Sequence, residues 1–154
     1  MEFVYDLAGA GWANARIMDK EAEFELSASY LSDAAGDMAA AAVALLKGAK
    51  EATFCFQDEP GQHRFLLDRT ETGGLVVRVV WNEANFAGVS DVDAEEAFRC
   101  ESDVVAFAGQ VAASLRAILK ERGLEGYRQA WRAHAFPLEA YRELCSRLGL
   151  QDAE

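Results

Sequence analysis

The chain has two imidazoles, His63 and His134, and three thiols, Cys55, Cys100 and Cys145. A histidine acting as a general base needs an oriented partner. Neither histidine has one nearby: His63 falls in an alternating strand pattern and His134 in a loop before Phe136-Pro137, so both read as structural. The cysteines are far apart and odd in number, with no CxxC and no Cys/His cluster, which points away from a disulfide framework or a zinc site. The densest carboxylate group is Asp91, Asp93, Glu95 and Glu96. Alternate acids can ligate Ca²⁺ or Mg²⁺, but an EF-hand loop needs Gly at its sixth position and Glu at its twelfth. Here those positions hold Glu96 and Ser102. Glu21, Glu23 and Glu25 alternate along a strand pattern with no basic residue between them, which describes an exposed face better than a catalytic pair. There is no GxSxG elbow, HExxH helix, Walker loop or dinucleotide fingerprint. The expectation is therefore no catalytic residue, no metal and no cofactor.

Two groups remain that could recognise something. The 154 residues carry 15 basic and 26 acidic side chains, a net charge of -11. That balance argues against a nucleic-acid or anionic-membrane binder, which needs a cationic footprint. The excess is local: residues 1–98 hold 7 Lys/Arg and 18 Asp/Glu, while residues 99–154 hold 8 of each. An acidic face around Glu21, Glu23, Glu25, Asp91, Asp93 and Glu95 would suit a basic protein partner. The alternative is a solvated face whose carboxylates keep the chain soluble. The second group is Tyr127, Arg128, Trp131 and Arg132, with Phe136, Tyr141 and Arg142 following. Tyr, Trp and Arg are interface anchors, but the same residues would equally tie the last helices to the domain.

The elements that must position these residues are legible from periodicity. Phe3, Tyr5 and Leu7 alternate, then Ala13, Ala15 and Ile17, with Gly9-Ala10-Gly11 turning between them. Asp19-Lys20 turns again, and Ala22, Phe24, Leu26 and Ala28 oppose the three glutamates. Helical spacing takes over at Leu31, Ala35, Met38, Ala42, Leu45 and Leu46, with Ser32 and Asp33 as capping residues and Gly48 as the stop. Strands resume at Ala52, Phe54 and Phe56. Asp58-Glu59-Pro60-Gly61 is a turn, followed by His63, Phe65, Leu67 and, past Gly73-Gly74, by Leu75, Val77, Val79 and Trp81. A polar loop of about 82–93 leads to a last strand with Phe98 and Cys100 on one side. A long helix runs from about Asp103 to Glu121, Gly123 ends it, a short helix surrounds Tyr127 to Trp131, and a final one spans Pro137 to Leu148.

The two main helices match at an offset of 73: seven of thirteen residues in 35–47 recur in 108–120, Gly36 and Gly109 among them. This suggests a duplicated strands-then-helix unit, with alanine abundance as the competing explanation. The glycine pair suggests a close approach of each helix to its neighbour. The aromatic residues of the strands suit a packed core. A ligand cavity between sheet and helices, as in a small-molecule binder or enzyme, is the alternative.

The segment Ala28-Ser29-Tyr30-Leu31-Ser32-Asp33-Ala34-Ala35-Gly36-Asp37-Met38, the Asp-Glu-Pro-Gly turn and the stretch Glu125-Gly126-Tyr127-Arg128-Gln129-Ala130-Trp131 together resemble a loose group of bacterial hypothetical proteins. The resemblance implies a bacterial cytosolic protein and carries no functional residue.

The first residues show no basic segment followed by an apolar run, and the apolar stretch Met38–Leu46 is too short to span a bilayer. With its unclustered cysteines the chain reads as cytoplasmic. The expected fold is an α+β two-layer sandwich: one mainly antiparallel sheet of about six or seven strands, two long helices on one face and a C-terminal helical appendage, all in one domain over 1–150 with residues 151–154 frayed. The expected function is a non-catalytic, immunity- or adaptor-like module that binds a basic protein. A homodimer built through edge strands or through the C-terminal aromatic–arginine surface is also open.

Overall fold

A computed structural model describes residues 1–83 and 94–151. The order is β1 (Glu2–Gly9), β2 (Trp12–Met18), β3 (Glu23–Ser29), α1 (Ala34–Leu46), β4 (Glu51–Gln57), β5 (Gln62–Arg69), β6 (Gly74–Asn82), β7 (Glu95–Asp103), α2 (Val104–Trp131) and α3 (Leu138–Leu148). The fold is α+β, as expected, but the seven strands do not form one sheet. They split into an antiparallel sheet β1-β2-β3 and an antiparallel sheet β4-β5-β6-β7. The break falls where α1 separates β3 from β4 in the chain. A hairpin connection imposes neighbour pairing, and a helix removes that constraint.

Alternation decides which face β1 and β2 bury, whereas β5 and β6 also bury Leu66 and Val80 on their other face. Phe3, Tyr5 and Leu7 face Ala13, Ala15 and Ile17, then Leu26 and Ala28. In the larger sheet Phe54, Phe65, Val79 and Phe98 lie in one cross-strand row. Both inner faces and all three helices share one hydrophobic core. The sheets meet through aromatic rings, Phe3 against Phe65 at 6.0 Å edge-on and Tyr5 against Phe56 at 5.5 Å, while within the larger sheet Phe54 stacks on Phe65 at 4.5 Å. Gly61 holds the Asp58–Gly61 turn at φ +87°, and a Cβ there would lie 2.3 Å from the Trp81 ring. Only glycine fits both conditions.

The free edge of β1 is closed by α2. Gln110 accepts from Phe3 N–H and donates to Met1 C=O, Ser114 Oγ accepts from Tyr5 N–H at 3.1 Å, and Arg122 donates to Leu7 C=O at 3.1 Å. Residues 110, 114 and 122 share one helical face, so a single helix satisfies the row of edge groups that would otherwise be open to pairing.

Helices α1 and α2 each begin at an aspartate. Asp33 Oδ1 accepts from Gly36 N–H, and Asp103 Oδ1 from Ala106 N–H at 2.8 Å. Leu31, expected on the apolar face of the first helix, instead lies before it and is 52% exposed. The buried faces of the helices do coincide at the offset of 73. Ala34, Ala35, Met38, Ala39, Ala41, Ala42 and Leu45 have buried counterparts in Phe107, Ala108, Val111, Ala112, Ser114, Leu115 and Ile118. The caps, however, are 70 residues apart, because α2 starts one turn earlier, where the first half has the loop Tyr30–Asp33. As expected, α2 is broken at Gly123, whose φ of 67° and ψ of 179° are non-helical.

The glycine pair does not mark a shared close approach. A Cβ at Gly36 would lie 2.1 Å from the capping carboxylate of Asp33, whereas one at Gly109 would meet nothing within 4 Å. Gly109→Ala should therefore stabilise the chain by about 0.5–1 kcal/mol. Gly36→Ala gains the same propensity but displaces a cap worth about 1 kcal/mol. Urea unfolding midpoints check this, and equal shifts for the two variants would contradict it.

Candidate interaction site

Because the inner face of β1-β2-β3 fills the core, alternation sends Val4, Asp6, Asn14, Arg16, Glu25 and Ser27 to the other side. The register sets Val4 beside Arg16 and Arg16 beside Glu25, with Asp6, Asn14 and Ser27 in the next row. These six residues line a shallow depression of about 440 Å³. Glu2 and Glu23 extend the face, both exposed. Arg16 is its one cation. Its guanidinium stands 3.6 Å from Glu23, with both side chains roughly half exposed. An ion pair this open to water is screened and adds little stability, so it leaves an acidic surface available.

The residues singled out from sequence separate into three groups. Glu23 and Glu25 lie on this outer face. Glu21 lies outside the strand, in the β2–β3 turn, where Asp19 Oδ1 accepts from the N–H groups of Glu21 and Ala22 at 2.8 and 2.9 Å. Glu95 is exposed but belongs to the other sheet, opposite Trp81. Asp91 and Asp93 lie outside the described residues. One acidic face thus becomes a continuous patch on β1–β3, and Asp6 and Glu2 are the members that sequence reasoning missed. Their signal was present: they alternate out of phase with Phe3, Tyr5 and Leu7.

The C-terminal candidates divide by burial. Tyr127 and Trp131 are wholly buried, while Arg128 and Arg132 are exposed. Trp131 Nε1 donates to Ser32 C=O at 3.2 Å, and Ala130 C=O accepts from Gly11 N–H at 2.8 Å. Tyr127 packs edge-on against Phe136 at 5.4 Å, and Phe136 against Tyr141 at 5.8 Å. Burial raises the Tyr127 phenol above its ordinary value. The aromatic half of the expected interface is therefore core that docks the last helices, and only its arginines face water.

No family model, curated protein or solved structure matches the chain. What the remaining polar residues can do must be read from geometry alone. His63 packs on Trp81 at 4.6 Å and Phe24 at 5.5 Å. Its Nδ1 is buried without a hydrogen-bond partner among the described residues. Burial lowers its pKa below 6.5, against a weaker opposing effect of Asp58. The unfolded state therefore takes up this proton first. The imidazole costs no stability above about pH 6.5, and stability is lost as pH falls from there through the lower folded value. His63→Phe should flatten that slope, which unfolding midpoints at about pH 7.5 and about pH 5.5 would check. An unchanged slope would contradict the assignment.

Cys55, Cys100 and Cys145 are all free of disulfides, and burial pushes the Cys100 thiol up to about 11. Among the described residues no group of three or more His, Cys, Asp or Glu side chains could hold a metal ion. Among the same residues no helix is long and apolar enough to cross a membrane.

Proposed function

We propose that the chain is a non-catalytic protein-interaction module, immunity- or adaptor-like in character, that docks a basic protein on the outer face of β1–β3. The observation that carries this reading is the patch itself. Among the described residues it exposes Glu2, Asp6, Glu23 and Glu25 around a single arginine. Complementary charge of this kind steers encounter and fixes orientation. The location is a bacterial cytosol, supported by three thiols outside any disulfide.

A ligand cavity between sheets and helices finds less support. That space is taken by Phe56, Phe65, Phe107 and Tyr5, none more than 1% exposed.

The test is affinity capture from native lysate, run in parallel with the wild type and a Glu23→Lys/Glu25→Lys variant. A basic protein retained by the wild type and lost by the variant is expected. Equal recovery of the same protein by both would overturn the reading.

A further inference from the structure

The four sheet edges are not treated alike. The β1 edge is closed by side chains of α2. α1 packs on β4, and β3 lies alongside β4. β7 ends the order of its sheet and is paired only with β6. No described residue is hydrogen-bonded to its outer edge through the backbone. Such a row of main-chain donors and acceptors is a template for another strand.

The residues along that edge say which strand. β7 is irregular near its start, where Val79 and Val80 pair with Phe98 and Glu96 and leave Ala97 extra. Beyond this bulge the register is regular from Phe98 to Asp103. Within that run Arg99 and Glu101 point outward and are exposed, and Phe98 and Cys100 point to the core. Arg99 lies directly opposite Arg78, a like-charge pairing that is unfavourable. Arg78 turns to Asp68 at 3.3 Å, and Arg99 forms no ion pair with any described residue.

We propose that β7 pairs antiparallel with β7 of a second copy, on a two-fold axis through Cys100. Arg99 then faces Glu101 of the second copy, Glu101 faces its Arg99, and Phe98 faces its Ser102. The neighbouring registers are excluded by the same chemistry. A two-fold at Arg99 or at Glu101 sets identical charges face to face, and a half-step register sets the outer face of one strand against the inner face of the other. The contact is isologous and closes on itself, joining two four-stranded sheets into one of eight. It uses a different surface from the acidic patch, which it would present twice.

Sedimentation velocity from micromolar to millimolar concentration tests this, with amide hydrogen exchange as the local readout. The wild type should self-associate, with residues 98–102 gaining protection as concentration rises. Arg99→Glu and Glu101→Arg should each weaken the dimer at least about tenfold, since each replaces two favourable pairs with two like-charged ones. The double exchange Arg99→Glu/Glu101→Arg should restore it. Both positions are exposed, so thermal unfolding of the monomer should move only slightly, upward for Arg99→Glu, which places a carboxylate opposite Arg78. A wild type that stays monomeric throughout, or a dimer indifferent to the single reversals, or a double exchange that fails to rescue, would each overturn the proposal.

Discussion

Trp131→Ala should destabilise the chain by about 3–5 kcal/mol, a large share of the roughly 5–15 kcal/mol that holds a domain of this kind together. The indole is wholly buried, so truncation opens a cavity in addition to losing the transfer energy of the ring. It also removes the donor to Ser32 C=O, leaving a carbonyl without its partner just ahead of α1. The neighbouring exposed Arg128→Ala should change stability by no more than about 0.5 kcal/mol. Urea unfolding of the two variants measures the contrast. A Trp131→Ala protein of undiminished stability would return this tryptophan to the surface and revive its role as an interface anchor.

The second large effect is expected at the β1 edge. Gln110→Leu leaves the Phe3 N–H without its acceptor, and Ser114→Ala does the same to the buried Tyr5 N–H. Each stranded group costs about 1–3 kcal/mol. The sites are one turn apart and serve one strand, so the double variant need not equal the sum. Amide exchange at Phe3 and Tyr5 should accelerate in the matching single variants, and the exposed edge should raise light scattering at high concentration. A double variant with wild-type stability and exchange would show that the core alone holds β1 in place.

Most of the elements were legible because their signals are local. Alternation marks the strands, Gly9 to Gly11 and Asp58 to Gly61 mark turns, Asp33 and Asp103 mark helix starts, and Gly123 marks the break in α2. The division into two sheets was not legible. Pairing between strands separated by a helix depends on contacts such as Phe3 with Phe65, which no window of sequence contains. The seal on β1 is hidden for the same reason, since Gln110 and Ser114 act on residues more than a hundred positions away. Leu31 was misplaced because it stands one turn before Ala35 and so fits the helical period, although it lies two residues ahead of the cap Asp33. Tyr127 and Trp131 were ambiguous because the residue types that anchor interfaces are also those that fill cores. The acidic face was half legible: Glu23 and Glu25 stood out as a run, whereas Asp6 joins them only once β1 and β2 are paired in register.

The central claim is that the outer face of β1–β3 attracts a basic protein by charge. Its most direct test is the association rate constant of the captured partner, measured against ionic strength for the wild type and for Glu23→Lys/Glu25→Lys. Screening shortens the reach of charge from about 8 Å at physiological salt to about 3 Å at 1 M. The wild-type rate should therefore fall steeply, by tenfold or more as an order of magnitude, while the variant should start slower and depend less on salt. A wild-type rate that does not change with salt, or a variant with the same salt slope, would contradict the account.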